Sequence, residues 1–426
     1  SGFGRTGTVD WITTPKTATF SAVSGEGYFC NTTAGVITVN LPAGVAGAIV
    51  SLADYAATWQ TNNVTISPNG TDKIGSLNFN ATLNVEGQSV TFVYVDSTQG
   101  WINTMDSTSN VRGAAPFIAA TGGTITTVCT DYKVHTFTGP GTFNITNLAP
   151  GPSGNPNSMD YLVVGGGGAG GPCVGGGGGA GGTRFSNGTA TGCYTAGPSP
   201  LGASALTATI TSFPITVGAG TTGSPCGTTA VTLARGSSSI FSTITSTGGG
   251  SGGGGSGTSS PICSVANGSI GGPGGSGGGG GFRNGNPGGS GDTPPTSPAQ
   301  GTSGGASTPS ASPTTIDAGG GGGGAVSGSS NGSDNTGGPG GTGITNSITA
   351  SPVGYGGGGG GGACSSGGTA GTATQGGGAG GKGTGTPDAP GTAGTANTGG
   401  GGGGSISVSP SGNGGSGIVI IRYKFQ

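Results

Sequence analysis

The feature that most constrains this chain is a set of uninterrupted glycine stretches. Seven consecutive glycines occupy residues 356–362, and five or six recur at residues 175–179, 277–281, 319–324 and 399–404. Glycine loses more backbone entropy on folding than any other residue, about 0.5–1 kcal/mol relative to alanine. One such stretch is therefore typical of a flexible linker, but its repetition at similar length calls for another explanation.

Two ordered structures are rich in glycine. Collagen needs glycine at every third position, and contiguous glycines do not follow that period. A polyproline II-type helix has about three residues per turn and rises ~3.1 Å per residue without internal hydrogen bonds, so seven residues span ~22 Å. Glycine helices of this type, packed side by side, can satisfy one another's backbone groups. Interior helices would then need glycine throughout, whereas surface helices would accept one side chain per turn. We therefore favour a bundle over linkers.

Composition excludes several classes of protein. Glycine accounts for 109 of 426 residues and charged residues for only 6%, whereas disordered chains are usually highly charged. A net charge of -2 provides no electrostatic footprint for nucleic acid or an anionic membrane. No apolar stretch approaches the ~18 residues that span a bilayer. Because Ser1 is not a start methionine and no signal-peptide core follows it, we expect a processed chain or the C-terminal part of a longer one.

The first part of the chain alternates as strands do. Between residues 16 and 106, short segments rich in Val, Thr, Phe and Tyr are separated by turn residues. Their spacing of about 8–12 residues predicts an all-β sandwich or barrel. Residues 90–95 are apolar on both faces, which predicts a central strand, and Trp101 is expected to close the core. No segment has the helical period of about 3.6 residues.

Strand-like segments also frame the glycine-rich part. "MDYLVV" runs directly into the first glycines, and "GIVIIRYKF" lies at the end of the chain. We predict four regions: a connector at 1–15, an all-β module at 16–106, a linker at 107–123 and a glycine-rich domain at 124–426. The predicted fold class is an all-β N-terminal module plus a strand-framed sandwich of polyglycine II (polyproline II-like) helices, with essentially no α-helix.

The seven cysteines give little guidance. None lies in a C-x-x-C pair, and an odd count at wide spacing favours neither a disulfide framework nor a zinc site. We expect small buried or incidental thiols; if a bridge forms, Cys193 with Cys226 is the first candidate.

Signatures of enzymes are weak. His135 is the single histidine and lies in a strand-like segment, where an ordinary structural histidine is expected. "GGGAGGKGT" resembles a phosphate-binding loop, but Gly383 follows Lys382 where Ser or Thr is needed. The 13 acidic residues do not cluster. The sequence therefore predicts no catalytic residue, no cofactor and no metal.

The order of several segments resembles a known family. In the second part these are "HTFTGPGTFNIT", "DYLVVGGGGAGG", "PITVGAG", "SSSIFSTITSTGGG" and "GSGIVIIRYKFQ"; in the first, "VDWITTPKTATF", "SLADYAATW" and "SVTFVYVDSTQGW". Over nearly its whole length the chain resembles the glycine-rich tail-fibre and virion-fibre proteins of tailed bacteriophages, marine cyanobacterial phages especially. The resemblance implies a virion fibre or its tip, with a glycine sandwich whose loops touch the host receptor. The long inserts and the first β domain depart from the short adhesins, which favours a fibre role over a tip role.

The resemblance implies a non-enzymatic viral structural protein with host attachment as its role. Expected partners are a host cell-surface receptor (a glycan or an outer-membrane protein) and other fibre or tail proteins, without nucleic acid. Fibres often form homo-trimers, although no heptad marks one here. Assembly in the bacterial cytoplasm would keep most thiols reduced. Two alternatives remain: a purely architectural decoration or extracellular fibril subunit, and a secreted structural or ice-binding protein.

If the bundle forms, binding is expected in the loops that join its helices. The candidate loops are 183–208, 282–318, 325–355 and 363–375. Because binding hot spots favour aromatic residues and arginine, the candidate receptor contacts are Arg184, Phe185, Tyr194, Phe282, Arg283 and Tyr355. In the alternative interpretation, Phe282 and Tyr355 plug the helix ends and Arg184 pairs with backbone carbonyls.

Overall fold

The computed structural model describes residues 9–106, 117–149, 157–225, 235–255, 268–282, 284–309, 317–364, 367–383, 388–406 and 409–426. The chain divides into two compact units, unit 1 (Ser1–Pro116) and unit 2 (Phe117–Gln426). Over the described ranges the chain has strands and no α-helix, and so no helix able to cross a membrane. The prediction of an all-β chain is confirmed.

Unit 1 is built from two sheets that share one core. Its strands are β1 (Asp10–Lys16), β2 (Phe20–Ser21), β3 (Glu26–Cys30), β4 (Ile37–Asn40), β5 (Ile49–Asp54), β6 (Val64–Ser67), β7 (Ala81–Leu83), β8 (Ser89–Tyr94) and β9 (Trp101–Asp106). The sheet orders are β1-β3-β5-β8-β9 and β2-β4-β6-β7. Strands β1, β3 and β5 are parallel, as are β2, β4 and β6. The chain thus alternates between the sheets and adds one strand to each, and β8 lies centrally between β5 and β9.

Two edge strands lie at least partly in segments predicted to be connector or linker. β1 begins at Asp10, and the ring of Trp11 lies 4.8 Å from that of Phe29 on β3. Strand β10 (Ala119–Thr121) lies within residues 107–123 and pairs with a later strand. Neither segment is strongly apolar. Each forms a strand because it pairs with a neighbouring strand, and the local sequence pattern does not predict that pairing.

Unit 2 contains a core sheet and a cover sheet. After β10 its strands are β11 (Thr124–Val128), β12 (Tyr132–Phe137), β13 (Gly141–Asn147), β14 (Ser158–Val164), β15 (Thr183–Ser186), β16 (Gly202–Ala203), β17 (Leu206–Thr207), β18 (Ser212–Thr216), β19 (Ser239–Phe241), β20 (Ile244–Ser246), β21 (Ile344–Asn346), β22 (Val353–Tyr355) and β23 (Ile418–Lys424). The core sheet has the order β11-β12-β23-β14-β15-β16, with β17 against β14; the cover sheet has the order β10-β13-β18-β19-β20; β21 pairs with β22. The last strand, β23, lies between β12 and β14.

Both faces of the core sheet are buried. On one face Tyr161 and Ile421 pack with Phe143 and Phe241 of the cover sheet. On the other face Leu162 joins a second apolar cluster. Because successive strand residues point to opposite faces, the continuous apolar sequences of β14 and β23 follow from this double burial.

The glycine runs hydrogen-bond to one another through their backbones. Within a run, the partner repeats every third residue. For residues 165–171 against residues 175–182 the N···O distances are 2.8–2.9 Å, in the pairs Gly165 to Gly182, Gly168 to Gly179 and Gly171 to Gly176. The intervening amides of Gly167 and Gly170 donate instead to Gly415 and Gly412. The hydrogen-bond partners of a run therefore recur with a period of three residues.

Residues 175–182 form an interior run that is surrounded by other segments. Its amides donate to residues 247–253, 320–323 and 399–405, and its carbonyls accept from residues 165–171, 276–279 and 359–362. There is no room for side chains on most of it: a Cβ at Gly177 would lie 2.0 Å from the Gly359 oxygen. The expectation of glycine at every interior position fails at Ala180, a fully buried residue of this run whose methyl group is accommodated.

Candidate functional site

The aromatic residues predicted as receptor contacts are core residues. Phe185, Tyr194 and Tyr355 are at most 3% exposed and belong to the apolar cluster on the core sheet. Phe282 is 1% exposed, and its amide donates to the Val174 carbonyl at 3.0 Å. These four rings offer no surface to a receptor, and we assign them to packing. Arg283 lies outside the described residues.

Arg184 is half-buried beside the core sheet. Its Nη2 donates to the Ser297 carbonyl at 3.4 Å, and it lines a shallow depression with Phe185 and Pro298. This is the backbone pairing that the alternative interpretation of the sequence describes.

Three of the four predicted loops contain segments of the hydrogen-bonded array. The amide of Gly305 donates to Gly321, that of Gly338 to Gly319 and that of Gly371 to Gly361, each at 2.9 Å. The glycines of these outer runs are interrupted by other residues, and this broken pattern is typical of a loop. The loop boundaries at 282–318, 325–355 and 363–375 are therefore corrected: each range includes an outer run.

Two of the outer runs present threonines to solvent. Thr369 and Thr372 are exposed on one run, and Thr392 and Thr395 on another. Residues 378–381 link the two, because Gly380 donates to Gly371, and Thr392 donates to Ala379, both at 2.9 Å. We call these four residues the threonine face. The three-residue repeat places all four on the outside of the array.

A buried ion pair crosses the centre of the core sheet. Asp160 on β14 lies opposite Arg422 on β23, and Arg422 Nη1 is 3.5 Å from Asp160 Oδ2, with both side chains fully buried. The Ser186 hydroxyl donates to Asp160 at 2.6 Å, and Thr189 also donates to it. Burial raises the pKa of the Asp160 carboxyl and lowers the pKa of the Arg422 guanidinium, while their mutual attraction opposes both shifts. We did not predict this pair. The sequence feature that indicates it is a single charged residue within each of two otherwise apolar strands.

The guanidinium of Arg422 also holds the segment at 187–201, which we call the anchored loop. Its carbon lies 3.6 Å from the centroid of the Tyr132 ring, and Nη2 donates to the Thr191 carbonyl at 2.7 Å. A disulfide joins Cys129 to Cys193, with a Cα–Cα distance of 6.0 Å. The anchored loop is thus fixed to the core sheet by covalent and charged contacts.

The expectation of buried free thiols holds at Cys30 and is wrong at four other cysteines. Cys193 pairs with Cys129, not with Cys226, and Cys173 and Cys364 are also disulfide-bonded. Cys30 in unit 1 is a buried free thiol. Cys129 and Cys193 are 64 residues apart in sequence, a separation that gives no indication of their proximity in the fold.

A cleft of about 370 Å³ opens at the edge of unit 2 where β10 meets β11. It is lined by Phe117, Ile118, Ala119, Ala120, Ile125, Lys133, Tyr423 and Phe425, and we call it the edge cleft. The two strands are joined through Gly122 and Gly123, whose φ angles of 109° and 63° suit glycine. This corner brings the edges of both sheets together and leaves the cleft between them.

His135 lies beneath the edge cleft as a structural residue. Its Nδ1 is 2.7 Å from the Gly122 carbonyl, and its Nε2 is 3.0 Å from the Tyr423 hydroxyl. The carbonyl can only accept, so Nδ1 carries the proton and Nε2 accepts from Tyr423. Burial lowers the pKa of His135. Within the described ranges, no group of three or more His, Cys, Asp or Glu residues is placed to hold a metal ion.

Comparison with known proteins assigns the family. None of the curated proteins compared with the chain matches it significantly. A family model described as a glycine-rich domain matches residues 136–424, more than half of the chain. The match begins in β12 and ends with β23, so it includes the central strands of the core sheet and every glycine run described above. The chain therefore belongs to the glycine-rich domain family.

Proposed function

We propose that this protein is a non-enzymatic structural protein of the virion-fibre type, and that its glycine-rich unit recognises a host surface. The resemblance in sequence to phage fibre proteins suggests the setting. Because the candidate aromatic residues are buried, we place the binding surface on the exposed outer runs of the array and not on single aromatic side chains.

We further propose that the glycine runs are polyglycine II helices. The three-residue repeat of hydrogen-bond partners supports this, since a helix with three residues per turn returns to the same neighbour at every third residue. The tight backbone spacing supports it too: at Gly359 a Cβ would lie 2.1 Å from the Gly402 oxygen.

The observation that carries the proposed function is the threonine face. Thr369, Thr372, Thr392 and Thr395 are exposed on a backbone that is hydrogen-bonded to the interior of the unit. A surface fixed in this way loses little conformational entropy on binding, which favours affinity. At the polyproline II rise, threonines three residues apart are spaced by ~9 Å, a regular pattern that suits an extended polymeric surface.

Competition for adsorption tests this function. The purified full-length chain should block adsorption of the phage that carries it to its host. Thr372→Lys and Thr395→Lys place a large charge on the threonine face and should abolish the block. Ser290→Lys is the matched control, because Ser290 is equally exposed but lies on an outer run that borders residues 271–278 instead. A chain that is present on particles but never competes would be architectural.

The disulfides favour a second candidate, a secreted structural protein. Disulfides form and persist in oxidising compartments, and Cys129, Cys173, Cys193 and Cys364 are all bonded. This conflicts with the expectation that assembly in a bacterial cytoplasm keeps thiols reduced. Antibody labelling of intact particles separates the candidates, because a secreted protein would be found in the medium and not on virions.

A further inference from the structure

We infer that the edge cleft binds a ring-sized carboxylate, of which an acidic sugar of a surface polysaccharide is the source favoured by the proposed function. The inference rests on that function only for the source of the ligand. The chemistry comes from the cleft itself, which combines an apolar floor with the ammonium group of Lys133.

The floor of the cleft is apolar and well packed. Ile118 and Tyr423 are 2% and 3% exposed and belong to the core between the two sheets. The Tyr423 hydroxyl is directed to His135 Nε2 at 3.0 Å, so its polar end is already satisfied within the core. A volume of about 370 Å³ lies at the lower end of the range of small-molecule sites, about 300–1,000 Å³. The cleft therefore suits one compact ring.

The rim of the cleft is cationic. Lys133 lines the cleft: its Nζ lies 4.5 Å from the Phe425 ring centroid and donates to the Thr127 hydroxyl at 2.7 Å. Lys424 lies outside the lining, with its Nζ 6.0 Å from the Phe117 ring centroid. Attraction between a cation and the face of an aromatic ring holds each ammonium group near the opening. In the described part of the chain, neither lysine forms an ion pair with a carboxylate. Both charges are available to an anion.

These features together select the ligand. A carboxylate can bind the Lys133 ammonium group through a charge-assisted hydrogen bond and is attracted by the more distant charge of Lys424, while the ring that carries it covers Ile118, Ala120 and Ile125. Ile125 is 45% exposed, so a bound ring removes apolar surface from water. A neutral sugar would cover the apolar surface but would not form the charge-assisted hydrogen bond, and we therefore expect it to bind more weakly.

Calorimetric titration of the full-length chain tests the inference. The probes are a glucuronate disaccharide, phenylacetate and, as the uncharged control, a glucose disaccharide. We expect Lys133→Met to weaken binding of the carboxylates by about tenfold, the loss of one charge-assisted hydrogen bond, and Lys424→Met to weaken it by a smaller factor, because Lys424 lies outside the lining. Lys382→Met, at an exposed lysine beyond the cleft, should leave binding unchanged. Circular dichroism confirms that each variant folds.

Each outcome has a defined meaning. Binding of either carboxylate that depends on both lysines supports the site, and the tighter of the two identifies an acidic sugar or an aromatic acid as the source. Absence of binding, equal binding of the glucose disaccharide, or indifference to both substitutions overturns the inference. If the carboxylate binds but the chain never blocks adsorption, the proposed function fails and the cleft stands. If the chain blocks adsorption through the threonine face but binds no carboxylate, the proposed function is supported and the inference about the cleft is overturned.

Discussion

The amide of Gly359 donates to the carbonyl of Gly178 at 2.9 Å, and so joins two interior runs from distant parts of the chain. Residues with side chains form backbone hydrogen bonds of this length too; a side chain is excluded here because other backbones enclose both residues. At Gly359 an added Cβ would lie 2.1 Å from the Gly402 oxygen, a separation that no rotamer change can relieve, because the atom it meets is backbone.

Gly359→Ala and Gly177→Ala should therefore destabilise unit 2. Insertion of a methyl group into a packed interior usually costs about 1–3 kcal/mol, and a rigid backbone neighbour places these sites at the upper end. Urea unfolding measures the change. Gly139→Ala is the control, since a Cβ there has no heavy atom within 4 Å. Equal losses at Gly139 and Gly359 would contradict the packing described here.

The Asp160–Arg422 pair should show strong coupling. Asp160→Leu alone, or Arg422→Leu alone, leaves one charge of the pair buried without its partner, which typically costs about 3–5 kcal/mol. The double variant Asp160→Leu/Arg422→Leu removes both charges and should lose much less than the sum of the single changes. A double-mutant cycle by denaturant unfolding gives the coupling energy, and Asp334→Ala, at an exposed carboxylate, should change stability little. Additive effects would show that the pair does not act as a unit.

The Cys129–Cys193 disulfide should stabilise the anchored loop and unit 2. Its loss in Cys193→Ser is expected to cost about 2–4 kcal/mol, the usual range for such bridges. Peptide mapping without reductant should recover Cys129 linked to Cys193, whereas Cys30 should react with an alkylating agent once the chain is unfolded. A peptide linking Cys193 to Cys226 would refute the pairing.

Stability should fall as the pH is lowered below the pKa of an ordinary histidine, about 6.5. The fold lowers the pKa of His135 by burial, so the unfolded chain takes up this proton first. The contribution is complete above about 6.5 and is lost as pH falls toward the lower pKa of the folded state. His135→Gln keeps a donor and an acceptor but does not titrate, and should reduce the slope of unfolding free energy against pH. An unchanged slope would count against this role.

The raised pKa of Asp160 acts in the opposite direction, because the folded state then binds a proton more readily than the unfolded state. Comparison of His135→Gln with the unmodified chain at each pH cancels this contribution, since Asp160 is present in both.

The sequence predicted those parts of the fold that depend on local chemistry. Contiguous glycines predict segments that are enclosed by other backbones, and residues 175–182 are enclosed by other runs, with Ala180 as the one side chain that is accommodated. The apolar segments of β14 and β23 predicted strands, and both are central. The parallel pairing in unit 1 was not predicted, because strand spacing is the same whether the chain returns to one sheet or alternates between two.

The candidate site was harder to predict. Phe185 and Tyr355 have the side chains that both binding surfaces and cores prefer, and only the register of their strands decides between the two. The edge cleft combines Phe117 with Phe425, residues from the two ends of unit 2, so no local motif marks it. The ion pair is partly visible in the sequence, because Asp160 and Arg422 are single charged residues in otherwise apolar strands. That they pair with each other follows only from the antiparallel register of β14 and β23, which the sequence does not show.

The position of β23 between β12 and β14 has a consequence for biosynthesis. During translation β12 and β14 leave the ribosome well before the strand that joins them, which is made only after residues 165–417. Until then the apolar edge of β14 has no partner, and non-local pairing of this kind is slow. A nascent chain that stalls or is cut short would carry an open hydrophobic strand, so its yield depends on completing synthesis before that strand meets another molecule.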